Sequence, residues 1–212
     1  VTVTASGAGG LAASTLSSQT AVTSINASGS SGPNTVSVLA TKATYSGGSG
    51  VDTVTISAAP TKAISGGDGT ADVIVIAGAG TLLTATSGAF LTNFEGLTAG
   101  NTTTGASGTF DLSLISGITS LRQGALAGAV SYTNAAAGTS LTMTAAPGYT
   151  TSYALANATG TADSLALTVT GAAGVSNISH PLTANGIETI TITSTDSTTS
   201  TGIQGNTLNL AD

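Results

Sequence analysis

Two neighbouring stretches decide the fold: GGSGVDTVTI at Gly47–Ile56 and GGDGTADVIVI at Gly66–Ile76. Each is a glycine-rich turn, then an aspartate, then a run of β-branched residues. In the first, apolar Val54 and Ile56 alternate with Thr53 and Thr55, the period of two that sends successive side chains to opposite faces of a strand. Glycine-rich breaks at Ser46–Gly50 and Ser65–Gly69 leave no room for a helical stripe of ordinary length. The turns start at Gly47 and Gly66, 19 positions apart, so equivalent strands return at one short, fixed interval.

The same alternation recurs outward in both directions. It appears in VTVT at Val1–Thr4, SLALTVT at Ser164–Thr170, ETITIT at Glu188–Thr193 and NTLNL at Asn206–Leu210. Tight hairpins are signalled by Asn-Gly or Asp-Gly pairs, and the only two are Asp68-Gly69 and Asn185-Gly186. An antiparallel sandwich is thus poorly supported. The pattern predicts an all-β chain, a parallel β-helix or β-roll solenoid whose narrow interior is packed with Val, Ile, Leu and Ala.

Composition agrees and excludes other classes. Of 212 residues, 41 are Thr and 27 Ser, only 12 are charged, and aromatics make up 3%. A helical bundle needs Leu, Glu, Lys and Arg in quantity, and a nucleic-acid binder needs more than three basic residues. A hydrophobic content of 40% and a mean hydropathy of +0.38 argue against disorder. There is no Cys, hence no disulfide or thiolate metal site. Apolar runs are too short for a transmembrane helix, so no membrane insertion is expected. A chain that opens on Val1 and closes on NTLNLAD is expected to be a processed or truncated piece of a longer protein.

The glycines allow a tight turn with carbonyls facing inward, and a terminal Asp adds a carboxylate. Such an oxygen set suits a hard cation, since Ca²⁺ takes six to eight oxygens. The first stretch resembles the RTX nonapeptide G-G-x-G-x-D-x-U-x, with Gly47, Gly48, Gly50, Asp52 and Val54 at the defining positions. In the second, Gly66, Gly67 and Gly69 fit, but Asp72 comes one residue late. Either that loop bulges or its site is weakened. Two nonapeptides make about 18 residues, one coil of an RTX roll, so the loops should stack. The expected ligands are Asp52, Asp68 and Asp72 with Gly47, Ser49, Gly50, Gly66 and Gly69; two glycine turns with solvated aspartates are the plainer alternative.

Further along, NFEGLTAG at Asn93–Gly100, GTADSLALTVTG at Gly160–Gly171 and NGIETITITSTDS at Asn185–Ser197 resemble the strand repeats of large bacterial surface-layer and RTX surface proteins. Phe94-Glu95 and Ile187-Glu188, 93 residues apart, hint at a long internal repeat. The expected division is an RTX-like β-roll over residues 1–88, continuous with a β-helical strand-repeat region over 89–212. The resemblance implies an extracellular, bacterial cell-surface protein, stabilised by calcium and self-assembling into a lattice or filament, with cell-surface polysaccharide as a further partner. A calcium-dependent adhesin for glycans or host surfaces is the alternative.

Catalytic signals are thin, and no enzyme is expected. The single His180 precedes Pro181, and no G-x-S-x-G elbow occurs. Asp163, Glu188 and Asp196 are the acids that adjacent coils would bring together, but aromatics for sugar stacking are few. Lys42, Lys62 and Arg122 are expected at solvated turns, and Tyr132, Tyr149 and Tyr153 at interfaces or coil caps.

Overall fold

The computed structural model describes residues 1–144, 149–171, 178–195 and 206–211. In chain order the first strands are β1 (Thr2–Gly7), β2 (Ala12–Ala13), β3 (Ser24–Ser30), β4 (Asn34–Ser37), β5 (Thr44–Ser46), β6 (Asp52–Ile56), β7 (Ile64–Ser65), β8 (Val73–Ile76), β9 (Leu91–Thr92) and β10 (Gly96–Ala99). There follow β11 (Ala106–Asp111), β12 (Ser120–Gln123), β13 (Leu126–Ala135), β14 (Ser140–Met143), β15 (Thr151–Leu155), β16 (Ser164–Thr170), β17 (Ile178–Thr183), β18 (Thr189–Thr195) and β19 (Asn206–Ala211). The one α-helix among the described residues is the single turn α1 (Ala85–Gly88).

Within each sheet, a strand pairs in parallel with the strands two earlier and two later in the chain, as β4 does with β2 and β6, and β16 with β14 and β18. The even-numbered strands form one nine-stranded central sheet, order β18-β16-β14-β12-β10-β8-β6-β4-β2. The odd-numbered strands form two five-stranded flanking sheets, β1 to β9 and β11 to β19. One turn of chain therefore contributes a central strand and a flanking strand, and the next turn stacks on it: the protein is a parallel β-solenoid. The flanking sheet changes between Thr92 and Ala106, while the central sheet runs past the change without a break.

Inward rows of the central sheet build the core. Val36, Val54, Ile74, Leu97, Leu121, Leu141 and Leu167 stack one per coil, through registers that pair each with the next, and all are at most 2% exposed. Because like sits on like, the pattern needs only β-branched and aliphatic residues every second position, which the sequence supplies. Fully burying such a side chain is worth roughly 1.5–3 kcal/mol. Aromatics join this core: Phe110, Tyr132 and Tyr153 stand in register on β11, β13 and β15, each no more than 1% exposed. Tyr132 and Tyr153 are thus core residues and not interface or cap residues. Their phenols stay satisfied in the interior, Tyr132 Oη donating to Arg122 O at 3.3 Å and Tyr153 Oη to Thr139 O at 2.9 Å.

A polar patch lies inside the later coils, where Gln123, Thr151 and His180 are buried and Thr151 Oγ1 donates to Gln123 Oε1 at 3.1 Å. Burial holds the His180 imidazole below its ordinary pKa, against the raising influence of Asn206 at 3.3 Å. Lys42 and Lys62 occupy exposed turns as expected, but Arg122 lies within β12, on the outer face of the central sheet.

Candidate functional site

At the corner where three successive coils enter the central sheet, the backbone amide is taken by a side chain of the next coil. Asn34 N–H donates to Asp52 Oδ1 at 3.0 Å, Asp52 N–H to Asp72 Oδ1 at 2.7 Å and Asp72 N–H to Glu95 Oε2 at 2.9 Å. Each acid therefore reaches back one coil and holds the corner beneath it. Asn34, Asp52 and Asp72 are fully buried.

The Gly47 and Gly66 turns stack as their spacing predicts. Gly47 N–H donates to Ser65 O at 2.9 Å, and Asp68 N–H to Gly48 O at 2.8 Å. A Cβ at Gly47 would stand 1.7 Å from Gly66 O and 2.2 Å from Asp52 Oδ2, so only glycine permits this approach. The extra residue of the second turn is taken up after Gly69, since Ser46 pairs with Ser65, 19 positions on, and Gly69 still lies over Gly50 O, while the strands that follow pair at 20. Val73 consequently pairs with Thr53, which brings Asp72 into the same corner as Asp52.

Asp52 is surrounded by protein donors. Its Oδ1 accepts from Asn34 N–H and from Asn34 Nδ2 at 2.6 Å, and its Oδ2 accepts from Tyr45 Oη at 3.0 Å and Gly48 N–H at 3.1 Å. Four donors spend the lone pairs that a cation would need. Burial, and next the Asp52 charge, push the Tyr45 phenol well above its ordinary pKa. Asp72 differs: its Oδ2 is buried without any donor. Burial pushes its carboxyl up to about 6; the Asp52 N–H opposes this, and the charges of Asp52 and Glu95 add to it.

Of the expected ligand set, the fold thus brings Asp52 and Asp72 to one corner, stacks Gly47 on Gly66, and leaves Asp68 exposed on the turn. Ser49 and Gly50 belong to the stack over the previous coil, with Ser49 N–H donating to Ser30 O at 3.1 Å. The Asp52 turn does not fit a Ca²⁺ ion in this arrangement, because its carboxylate is consumed. The Asp72 turn keeps one free carboxylate oxygen, against the six to eight oxygens of a complete shell. No group of three or more His, Asp or Glu side chains converges among the described residues.

Sequence reasoning missed Asn34, Tyr45 and Glu95 at this corner. Asn34 was findable, standing 18 residues, one coil, before Asp52. Glu95 had a clearer signal, since the corner occurs twice. Gly69-Thr70-Ala71-Asp72 is repeated letter for letter as Gly160-Thr161-Ala162-Asp163. Asp163 N–H donates to Glu188 Oε2 at 2.8 Å, as Asp72 N–H does to Glu95. In both corners the Asp carbonyl accepts from the Glu amide and from the next amide, at 2.9–3.1 Å, and the Asp Oδ2 has no partner. The adjacent-coil expectation thus holds for Asp163 and Glu188, while Asp196 lies outside the described residues. No protein-family model matches this chain, and no curated protein matches it.

Proposed function

We propose that the chain is a structural module, a rod-like solenoid segment of a bacterial cell-surface protein that self-assembles into a layer or filament. One observation carries this reading: the outer face of the central sheet carries two rows of side chains in which small hydroxyls predominate. One row, joined by strand register, runs Ser37, Thr55, Val75, Thr98, Arg122, Thr142, Thr168 and Thr193; the other includes Thr35, Thr53, Ser120, Ser140 and Thr191. With 12 charged residues in 212, little repulsion opposes face-to-face contact, whereas surfaces kept monomeric usually carry about 25–35% charged residues.

In this proposal calcium acts only at the second turn, where Asp72 Oδ2 lacks a donor and exposed Asp68 stands nearby in sequence. The Asp52 turn closes on its own hydrogen bonds. Electron microscopy and light scattering, with calcium added and then chelated, test both parts. Ordered sheets or fibres support the scaffold, and monomers at high concentration in both states overturn it. A melting curve unchanged by chelation removes calcium and leaves the scaffold standing.

A further inference from the structure

We propose that a groove on the outer face of the central sheet binds a carboxylated sugar residue of a polysaccharide, with Arg122 as the anion contact. The groove encloses about 600 Å³, within the usual range of ligand sites, roughly 300–1,000 Å³. Arg122 is the only arginine of the chain. It projects from β12 between Thr98 and Thr142, its register neighbours on β10 and β14, and it is exposed. Nine acids occur in the sequence, yet among the described residues no carboxylate lines the groove. A guanidinium offered to solvent with no counter-charge in the groove among the described residues is matched by a planar carboxylate, which it grips through two parallel hydrogen bonds.

The remaining lining selects a sugar over a bare anion. Thr53, Thr55 and Thr98 supply hydroxyls that both donate and accept, as sugar hydroxyls require, and Thr144, whose Oγ1 donates to Gln123 O, can still accept. The floor is Val73 and Val75, the two large apolar side chains in these outward rows, and they suit the C–H face of a pyranose ring. One wall is preformed. Asn101 Oδ1 accepts from Thr103 N–H at 2.9 Å, Thr103 Oγ1 at 3.0 Å and Thr104 N–H at 2.6 Å, and Gly100 N–H anchors the segment to Ile76 O at 2.8 Å. A polyphosphate backbone is a poor match, because it needs a series of cations and the groove holds one. The groove shares Thr53, Thr55, Thr98 and Arg122 with the hydroxyl rows, so sugar binding and face-to-face packing compete, and binding is measured on the unassembled chain.

Calorimetry of the full chain with a tetramer of α-1,4-linked galacturonate, at physiological salt, tests it. Arg122→Gln is expected to weaken binding about tenfold or more, the loss of a hydrogen-bonded charge contact. The same tetramer with its carboxyls reduced to alcohols should bind as weakly to the native chain as the acid does to the variant. Lys62→Gln, remote from the groove on an exposed turn, should leave binding unchanged, and Thr55→Tyr, which narrows the groove while Arg122 stays in place, should weaken it. The proposal is overturned if the native chain does not bind the tetramer, if the reduced tetramer binds equally, or if Lys62→Gln costs as much as Arg122→Gln. Competition by inorganic sulfate at the tetramer's own concentration overturns the sugar assignment.

Discussion

At the scale of single residues, the corner carboxylates differ in what they hold, and the difference sets their energetics. Asp52 accepts from Asn34, Tyr45 and Gly48 in a fully buried corner. Asp52→Ala strands several buried donors, each worth about 1–3 kcal/mol when unsatisfied. A loss of about 3 kcal/mol or more in denaturant unfolding is expected. Glu188 is exposed and holds one amide, so Glu188→Ala should cost a fraction of that; equal losses would contradict the ladder. Asp72 sets a pH dependence. Its folded pKa, about 6, lies above the ordinary carboxyl value of 3.8, so the stability it contributes is complete below that ordinary value and is lost as pH rises through 6. His180, lowered by burial, acts with the opposite sign, its contribution being lost as pH falls. Asp72 is expected to pull the melting temperature down between about pH 4 and pH 6, against the rise that His180 gives as pH increases. Asp72→Asn should flatten that drop, and Asp72→Asn with an unaltered slope would remove Asp72 as its cause.

At the scale of elements, the coil repeat is maintained by glycine as much as by the strands. Gly47→Ala places a methyl 1.7 Å from Gly66 O, whereas a Cβ at Gly9 meets nothing within 4 Å. The first change should cost about 3 kcal/mol, at the upper end for overpacking, and Gly9→Ala less than about 0.5 kcal/mol. Similar effects in thermal melts would show that the turns do not stack closely. Much of this level was legible from sequence: β16 begins and ends where the alternation of Ser164–Thr170 does, β8 covers the short apolar run Val73–Ile76, and the 19-residue interval foretold the Gly47–Gly66 stack. Other features were hidden for physical reasons. The odd strands are as short as Ile64–Ser65 and Leu91–Thr92, too brief for any period to register. Arg122 reads as a turn residue by composition, yet its register sets it on a strand face. The use of Asp52 could not be read at all, because a carboxylate saturated by amides and a carboxylate awaiting a cation have the same local sequence.

At the scale of the whole molecule, two features promote association, and they predict different geometries. One is the hydroxyl face of the central sheet, which favours side-by-side contact. The other is the last described coil, where Ile192 and Leu210 are 51% and 53% exposed. Ile192 continues the inward column after Leu167, and β18 is an edge of the central sheet. Among the described residues this edge, with its apolar inward positions, is open to a further coil or another molecule along the axis. Charges separate the two modes. Thr35→Glu combined with Thr55→Glu puts like charges on the hydroxyl rows at β4 and β6, far from the edge strand β18, and Ile192→Glu charges that column while sparing the face. If lateral packing through the face drives assembly, the double variant should stay monomeric in light scattering while Ile192→Glu still associates. The proposed layer requires that outcome, since a sheet cannot be built from axial contacts alone. Assembly abolished by Ile192→Glu but retained by the double variant would make the particle a filament of stacked solenoids and take the hydroxyl face out of the interface.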